Sequence, residues 1–230
     1  MVKILSLGIG GVALATAVYF MFVRDDNQSA LNDITRKESA TSGVTIVAFG
    51  DSLTAGYGLP ASESYPAQLE KALVEKGLNT TIINAGVSGE TTKGNLERAE
   101  FIRSQNPDIV LLGIGGNDAL RALPIEETIK NITQTVEILK AGGNPPVVIL
   151  LQMQSPLNAG LSYKRSFDSL YEDIAASQNI ILLPFLTAEV FLKQENKLSD
   201  GIHLNKAGYG KVVELYLVEP VAEVVEKIEG

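Results

Sequence analysis

The chain contains one histidine, His203, and it stands three residues after a carboxylate in Asp200-Gly201-Ile202-His203-Leu204-Asn205. Imidazole suits proton transfer near neutral pH. A carboxylate three positions away can share one face of a turn with it and fix which ring nitrogen carries hydrogen. Far upstream, Gly50-Asp51-Ser52-Leu53 closes an apolar run. A serine hydroxyl becomes a nucleophile only when a base removes its proton during attack. With a single imidazole in the chain, His203 is the only one available for that task. Two more polar segments also follow apolar runs, Asn84-Ala85-Gly86 and Gly115-Gly116-Asn117-Asp118. Each segment alone has a plain structural account. Ser52 could cap a helix. Gly86 and Gly89 could serve a turn, Asn117-Asp118 could cap a short helix, and Asp200 with His203 could be a surface pair. Together they supply a nucleophile, a base, a group to orient the base, and donors for an oxyanion.

The elements that must position these residues follow from apolar patterning. Short apolar runs at Val44–Phe49, Thr80–Asn84, Asp108–Gly113, Val147–Leu151 and Ile180–Leu183 read as five strands. Between and after them, helical spacing predicts helices over Tyr65–Lys76, Thr92–Gln105, Pro124–Ala141, Ser162–Ser177, Ala188–Gln194 and Lys206–Lys227, the last bent at Pro220. Continuous apolar strands alternating with helices describe a parallel sheet covered on both faces. Right-handed crossovers then make a three-layer α/β/α sandwich, flavodoxin-like in kind. In such sheets ligands bind beyond the carboxyl ends of the strands, where the polar segments after the first three strands should meet.

The blocks GDSLTAGYGLP (Gly50–Pro60), NAGVSGETT (Asn84–Thr92), GGND (Gly115–Asp118) and DGIHLN (Asp200–Asn205) resemble, in order and spacing, the signature blocks of the SGNH (GDSL) hydrolases. The resemblance covers about Val44 to Val213, and the long forms of the first two blocks look most like the branch of bacterial thioesterase I, lysophospholipase L1 and arylesterase. It implies a five-stranded parallel sheet, in agreement with the patterning. It also implies that Ser52 is the nucleophile, His203 the base and then the acid, and Asp200 the orienting carboxylate. The backbone N–H groups of Ser52 and Gly86 and the side-chain amide of Asn117 would form the oxyanion hole. Asp51 and Asp118 read as supports of their loops. No G-x-S-x-G elbow occurs, so the α/β-hydrolase alternative lacks its main marker.

The implied substrates are small-molecule esters or thioesters of acyl chains, with carbohydrate O-acetyl esters as the alternative. The loop Gln154–Tyr163 should border the site, and Pro156, Leu157, Ala159 and Leu161 make it apolar, suited to an acyl chain or simply to packing. No cofactor and no metal is expected. The chain has no cysteine and one histidine, which excludes thiolate and His-rich metal sites, and no EF-hand spacing is present. A net charge of −8 without a basic cluster argues against nucleic acid as a partner.

The N-terminus reads differently from the rest. Ile4 to Val23 is uncharged and apolar, long enough as a helix for the roughly 30 Å of a bilayer core. Its small residues Ala13, Ala15 and Ala17 lie inside the run, so cleavage after them would leave VYFMFV at the new terminus. A retained anchor over residues 1–23 is therefore expected, with secretion after signal cleavage as the alternative. Gly8-Ile9-Gly10-Gly11-Val12-Ala13 formally matches a dinucleotide fingerprint but has no room for a crossover helix behind it. Residues 24–43 are polar, without apolar periodicity, and read as a flexible tether to a hydrolase domain over 44–230. A charged start followed by an apolar run is an export pattern, so the domain is expected outside the cytoplasm. Arg24, Arg36 and Lys37 beyond the run do not favour that orientation by charge count.

Overall fold

A computed structural model of the chain describes residues 43–156 and 159–230. Five parallel strands form one sheet: β1 (Val44–Gly50), β2 (Thr80–Gly86), β3 (Ile109–Gly113), β4 (Val147–Gln152) and β5 (Ile181–Pro184). Their order across the sheet is β2-β1-β3-β4-β5. The central strands are apolar on both faces because both faces are covered; every residue of β3 is buried.

The covering helices carry their apolar residues at helical spacing. On α5 (Ile125–Leu139) the buried positions are Thr128, Ile132, Thr135, Val136 and Leu139, one stripe of a 3.6-residue repeat. It packs between α3 (Thr92–Ser104) and α6 (Gly160–Gln178) in one layer. The opposite layer joins α2 (Tyr65–Glu75) to a C-terminal rod made of α8 (Lys206–Val212), a π-helical turn (Val213–Leu217) and α9 (Val218–Glu229). Three short helices follow strand ends or loops: α1 (Ser52–Ala55), α4 (Gly116–Leu120) and α7 (Ala188–Phe191).

The rod departs from the sequence expectation in an instructive way. The irregular turn lies at Val213–Leu217, before Pro220 rather than at it. A proline ring collides with the carbonyl four residues earlier, here that of Tyr216, and leaves it without its usual donor. Widening the turn that contains Tyr216 accommodates both effects.

From β1 the chain moves outward to β2, then returns past β1 to β3. The carboxyl ends of β1 and β3 therefore flank the point where the winding direction reverses, and a crevice opens there. In register, Gly50 faces Gly86 on one side and Gly113 on the other. This glycine row lets α1 fold back onto the sheet's end. A Cβ on Gly50 would sit 2.2 Å from Thr54 Oγ1, and one on Gly86 would sit 2.2 Å from the Ala55 nitrogen.

The expected anchor and tether lie outside the described residues, apart from Gly43. Among the described residues no helix is long and apolar enough to cross a membrane.

Candidate active site

Ser52 opens α1, two residues beyond the end of β1. The turn is held by Asp51, whose Oδ1 accepts the Leu53 N–H at 2.9 Å, and it ends at Gly56 in the left-handed region, φ 74°. Asn117 lies in α4, four residues beyond the end of β3. The two segments meet where Asn117 Nδ2 donates to Asp51 Oδ2 at 3.3 Å. Asp51 is 1% exposed. Burial away from water pushes its carboxyl up to about 6, although the Leu53 N–H, the Asn117 amide and the nearby His203 pull the other way.

His203 arrives from a loop that belongs to no strand of the sheet. Asn196 is fully buried at the loop's base, donating to the Val190 carbonyl at 2.8 Å and accepting from Lys211 Nζ at 2.9 Å. Asn205 closes the other side. Its N–H donates to the Asn196 carbonyl, and its Oδ1 caps α8 by accepting the Gly208 N–H at 3.0 Å. At the tip, Asp200 Oδ1 accepts the N–H groups of Ile202 (2.9 Å) and His203 (3.0 Å). Its Oδ2 lies 2.7 Å from His203 Nδ1. The opposite ring nitrogen, Nε2, is 2.8 Å from Ser52 Oγ. Desolvation alone would raise the Asp200 carboxyl, but the hydrogen bonds from His203 and Ile202 outweigh it and hold the group at about 2. The Tyr57 ring leans against the imidazole, centroids 4.6 Å apart.

Ser52, His203 and Asp200, separated by as much as 151 residues in sequence, thus form one continuous line of hydrogen bonds. Asp118 plays the supporting part expected of it. Its carboxylate accepts from the Thr92 N–H (2.8 Å) and hydroxyl (2.6 Å), tying α4 to the start of α3.

Gly86, expected as an oxyanion donor, is the last residue of β2. Its N–H donates to Asn84 Oδ1 at 3.0 Å and its Cα is pressed against α1; neither Gly86 nor Gly89 lines the cleft described below. Register places Gly86 where it serves the close approach of α1. The other glycine of that block, Gly89, has φ 82° and open space where a side chain would stand. Its carbonyl is held by Arg121 Nη2 at 2.9 Å, which ties the β2–α3 loop to the residue following α4. Two glycines in one block cannot be told apart by sequence until strand register is known.

Ser52, Asn117 and His203 open into a cleft of about 480 Å³. Its walls are mainly apolar, from Leu53, Leu120, Leu186, Phe191, Leu192 and Ile202. Gln154, Ser155 and Pro156 contribute to it as expected of their loop, whereas Leu157 lies outside the described residues. Leu186, Phe191 and Leu192 carry no such signal in the sequence, because nothing in an apolar segment after β5 marks it as a wall. A hollow of similar size, about 460 Å³, lies between α2 and the C-terminal rod. It is lined by Lys71, Glu75, Lys206, Glu214 and Glu219 and contains no imidazole, so it is not the centre of this chemistry. Among the described residues no cluster of His, Cys, Asp and Glu could hold a metal ion.

Comparison with known proteins agrees with this geometry. Residues 48–211 match the GDSL-like Lipase/Acylhydrolase family. The chain is 36% identical over 158 residues to an arylesterase of Vibrio mimicus, covering 69% of this chain and 78% of that one. It is 36% identical over 168 residues to thioesterase 1/protease 1/lysophospholipase L1 of Escherichia coli (strain K12), covering 73% and 78%. The crystal structure of TesA superimposes with a TM-score of 0.72 at 31% identity, over 79% of this chain and 99% of that one. The chain belongs to the GDSL-like lipase/acylhydrolase family.

Proposed function

We propose that this protein is a serine hydrolase that cleaves esters or thioesters of acyl chains through an acyl-enzyme on Ser52. The observation that carries this reading is the Asp200–His203–Ser52 line, with spacings of 2.7 and 2.8 Å. In the proposed reaction, Ser52 Oγ attacks the substrate carbonyl carbon while His203 Nε2 takes its proton. Asp200 holds the Nδ1 hydrogen and stabilises the imidazolium. The tetrahedral intermediate places negative charge on the former carbonyl oxygen. It collapses by releasing the alcohol or thiol, which leaves with the proton from Nε2. Water, deprotonated by the same nitrogen, then attacks the acyl-Ser52 carbonyl, and collapse of the second intermediate frees the acid and restores the serine.

Donors to the oxyanion are assigned to the Ser52 N–H and Asn117 Nδ2. For the third we assign the Gly89 N–H in place of Gly86. Among the described residues the Gly89 N–H has no partner, whereas that of Gly86 is already committed. The apolar cleft walls favour acyl chains longer than acetyl over carbohydrate O-acetyl esters. We also infer that the N-terminal apolar run tethers the domain to a membrane, with the domain on the outer side. The relatives named arylesterase and thioesterase 1/protease 1/lysophospholipase L1 support the reaction class.

The test is a hydrolysis profile across acyl lengths and across alcohol and thiol leaving groups, with Ser52→Ala as the blank. Turnover should persist beyond acetyl and vanish in the blank. A rate that collapses beyond acetyl would instead select the O-acetyl esterase, and full turnover in the blank would remove Ser52 from the reaction. For the tether, the intact N-terminus should be found in the membrane fraction; a mature chain beginning near Arg24 would establish cleavage.

A further inference from the structure

Asp51 is a wholly buried carboxylate beside the nucleophile, and the reaction above does not use it. Buried carboxylates are rare unless donors surround them, because losing water disfavours the charge. Asp51 has two protein donors, the Leu53 N–H on Oδ1 and Asn117 Nδ2 on Oδ2. The first is an ordinary helix cap. A serine would make it as well, without a buried charge. The second is different in kind. An asparagine amide has two nearly isosteric ends, and only the nitrogen end can donate to an oxyanion. Turned over, it would present an oxygen to a developing negative charge. An ionised carboxylate only accepts, so it meets the nitrogen end and rejects the oxygen end. The Asn117 nitrogen carries two hydrogens, and with one held by Asp51 the other remains for the cleft. The N-terminal turn of α4 closes over the same oxygen, since a Cβ on Gly116 would stand 3.0 Å from Asp51 Oδ2.

We propose that Asp51 is a positioning residue that acts through Asn117, holding its amide nitrogen toward the oxyanion site while also capping α1. This rests on the reading of Asn117 as an oxyanion donor. A cap alone would act on Ser52 and its helix and would be indifferent to what stands at 117.

A double-mutant cycle on the full chain separates the two roles, with p-nitrophenyl butyrate as the probe. Asp51→Ser keeps a capping oxygen for Leu53 but is too short to replace the carboxylate at Asn117. We expect Asn117→Ala to lower kcat by roughly 10²–10³-fold. Asp51→Ser should lower kcat about tenfold or more, the worth of one hydrogen bond, with KM within about twofold. In the Asn117→Ala background, the same Asp51→Ser change should cost less than about twofold. An equal cost in both backgrounds would overturn the proposal and leave Asp51 as a cap. An unchanged kcat in Asn117→Ala would instead remove the oxyanion reading itself, a separate failure. If circular dichroism shows that Asp51→Ser has lost the native fold, the isosteric Asp51→Asn takes its place. Its amide can face Asn117 with either end, so its loss should again disappear when Asn117 is absent.

Discussion

Ser52 and Asn117 stand on short helices that begin within three residues of the ends of β1 and β3, while Asp200 and His203 hang from the tip of a loop rooted on Asn196 and Asn205. The two halves of the site solve the same problem, holding a side chain still, by different means. The sheet half inherits its precision from strand register, and its carboxylate, Asp51, is sealed from water and pushed up to about 6. The loop half has no strand to lean on. It relies on local hydrogen bonds, and its carboxylate, Asp200, is 35% exposed and held at about 2. The difference teaches that position can come from packing at the expense of an unfavourable charge, or from a turn that welcomes the charge. Substitutions should therefore fail differently in the two halves.

The sharpest contrast comes from the sheet half. Ser52→Ala removes the proposed nucleophile and should lower kcat on the order of 10⁶-fold. The helix cap belongs to Asp51 rather than to Ser52, so thermal unfolding should stay within about a degree of the parent. A large drop in melting temperature would mean that Ser52 itself holds the turn and would blur the distinction between the halves.

In the loop half, Asp200→Asn should lower kcat by roughly 10³–10⁴-fold with little change in KM, because the imidazole loses its acceptor and its fixed tautomer. Backbone donors at Ile202 and His203 can still meet the asparagine oxygen, so the loop should keep its shape. Steady-state kinetics beside a proteolysis time course would check both parts. Rapid cleavage within residues 196–205 would show that the charge, and not the turn, holds the loop.

Much of this arrangement is legible in the sequence, and the part that is not has a physical reason. The strands announce themselves as short apolar runs, and a parallel sheet puts their following residues on one rim; Ser52 and Asn117 could be placed for that reason. Asp200 and His203 are legible as a local pair, since a three-residue spacing needs no tertiary knowledge. The same reasoning takes Gly86 rather than Gly89 as the oxyanion donor, without sight of what each glycine packs against. That choice depends on Gly86 pairing with Gly50 and then meeting α1, which only assembled strands reveal. The cleft walls at Leu186, Phe191 and Leu192 were hidden likewise, for apolar residues look the same whether they fill a core or line an opening. Asp51 is legible as a turn residue, and it is one; its second bond, to a residue 66 positions away, leaves no local trace.

The glycine difference gives the next test. Gly86→Ala forces a methyl against the backbone of α1, within 2.2 Å of the Ala55 nitrogen, and should destabilise the protein by about 1–3 kcal/mol in urea unfolding. Gly89→Ala meets open space and carries only the strain of a positive φ, about 1–2 kcal/mol. Its kcat should fall more per unit of lost stability than that of Gly86→Ala. The reverse ranking would return the oxyanion donor to Gly86.

The smallest effect concerns the two carboxylates directly. Asp51 stands at about 6 when folded against 3.8 as the ordinary value, so the folded chain binds this proton more tightly than the unfolded one. Its contribution therefore favours folding as pH falls through 6, is complete below 3.8, and is lost as pH rises through 6. Asp200 has the opposite sign: its contribution is present above 3.8 and is lost as pH falls through about 2. Between pH 7 and pH 5 the Asp51 proton changes while Asp200 stays ionised, so of the two carboxylates only Asp51 responds in this window. Relative to Asp51→Asn, which cannot titrate, the parent should gain about 1 kcal/mol of unfolding free energy on going from pH 7 to pH 5. Urea melts of both proteins at the two pH values measure it. A gap that does not move would mean that water reaches Asp51 and that the sealed half of the site is as wet as the loop half.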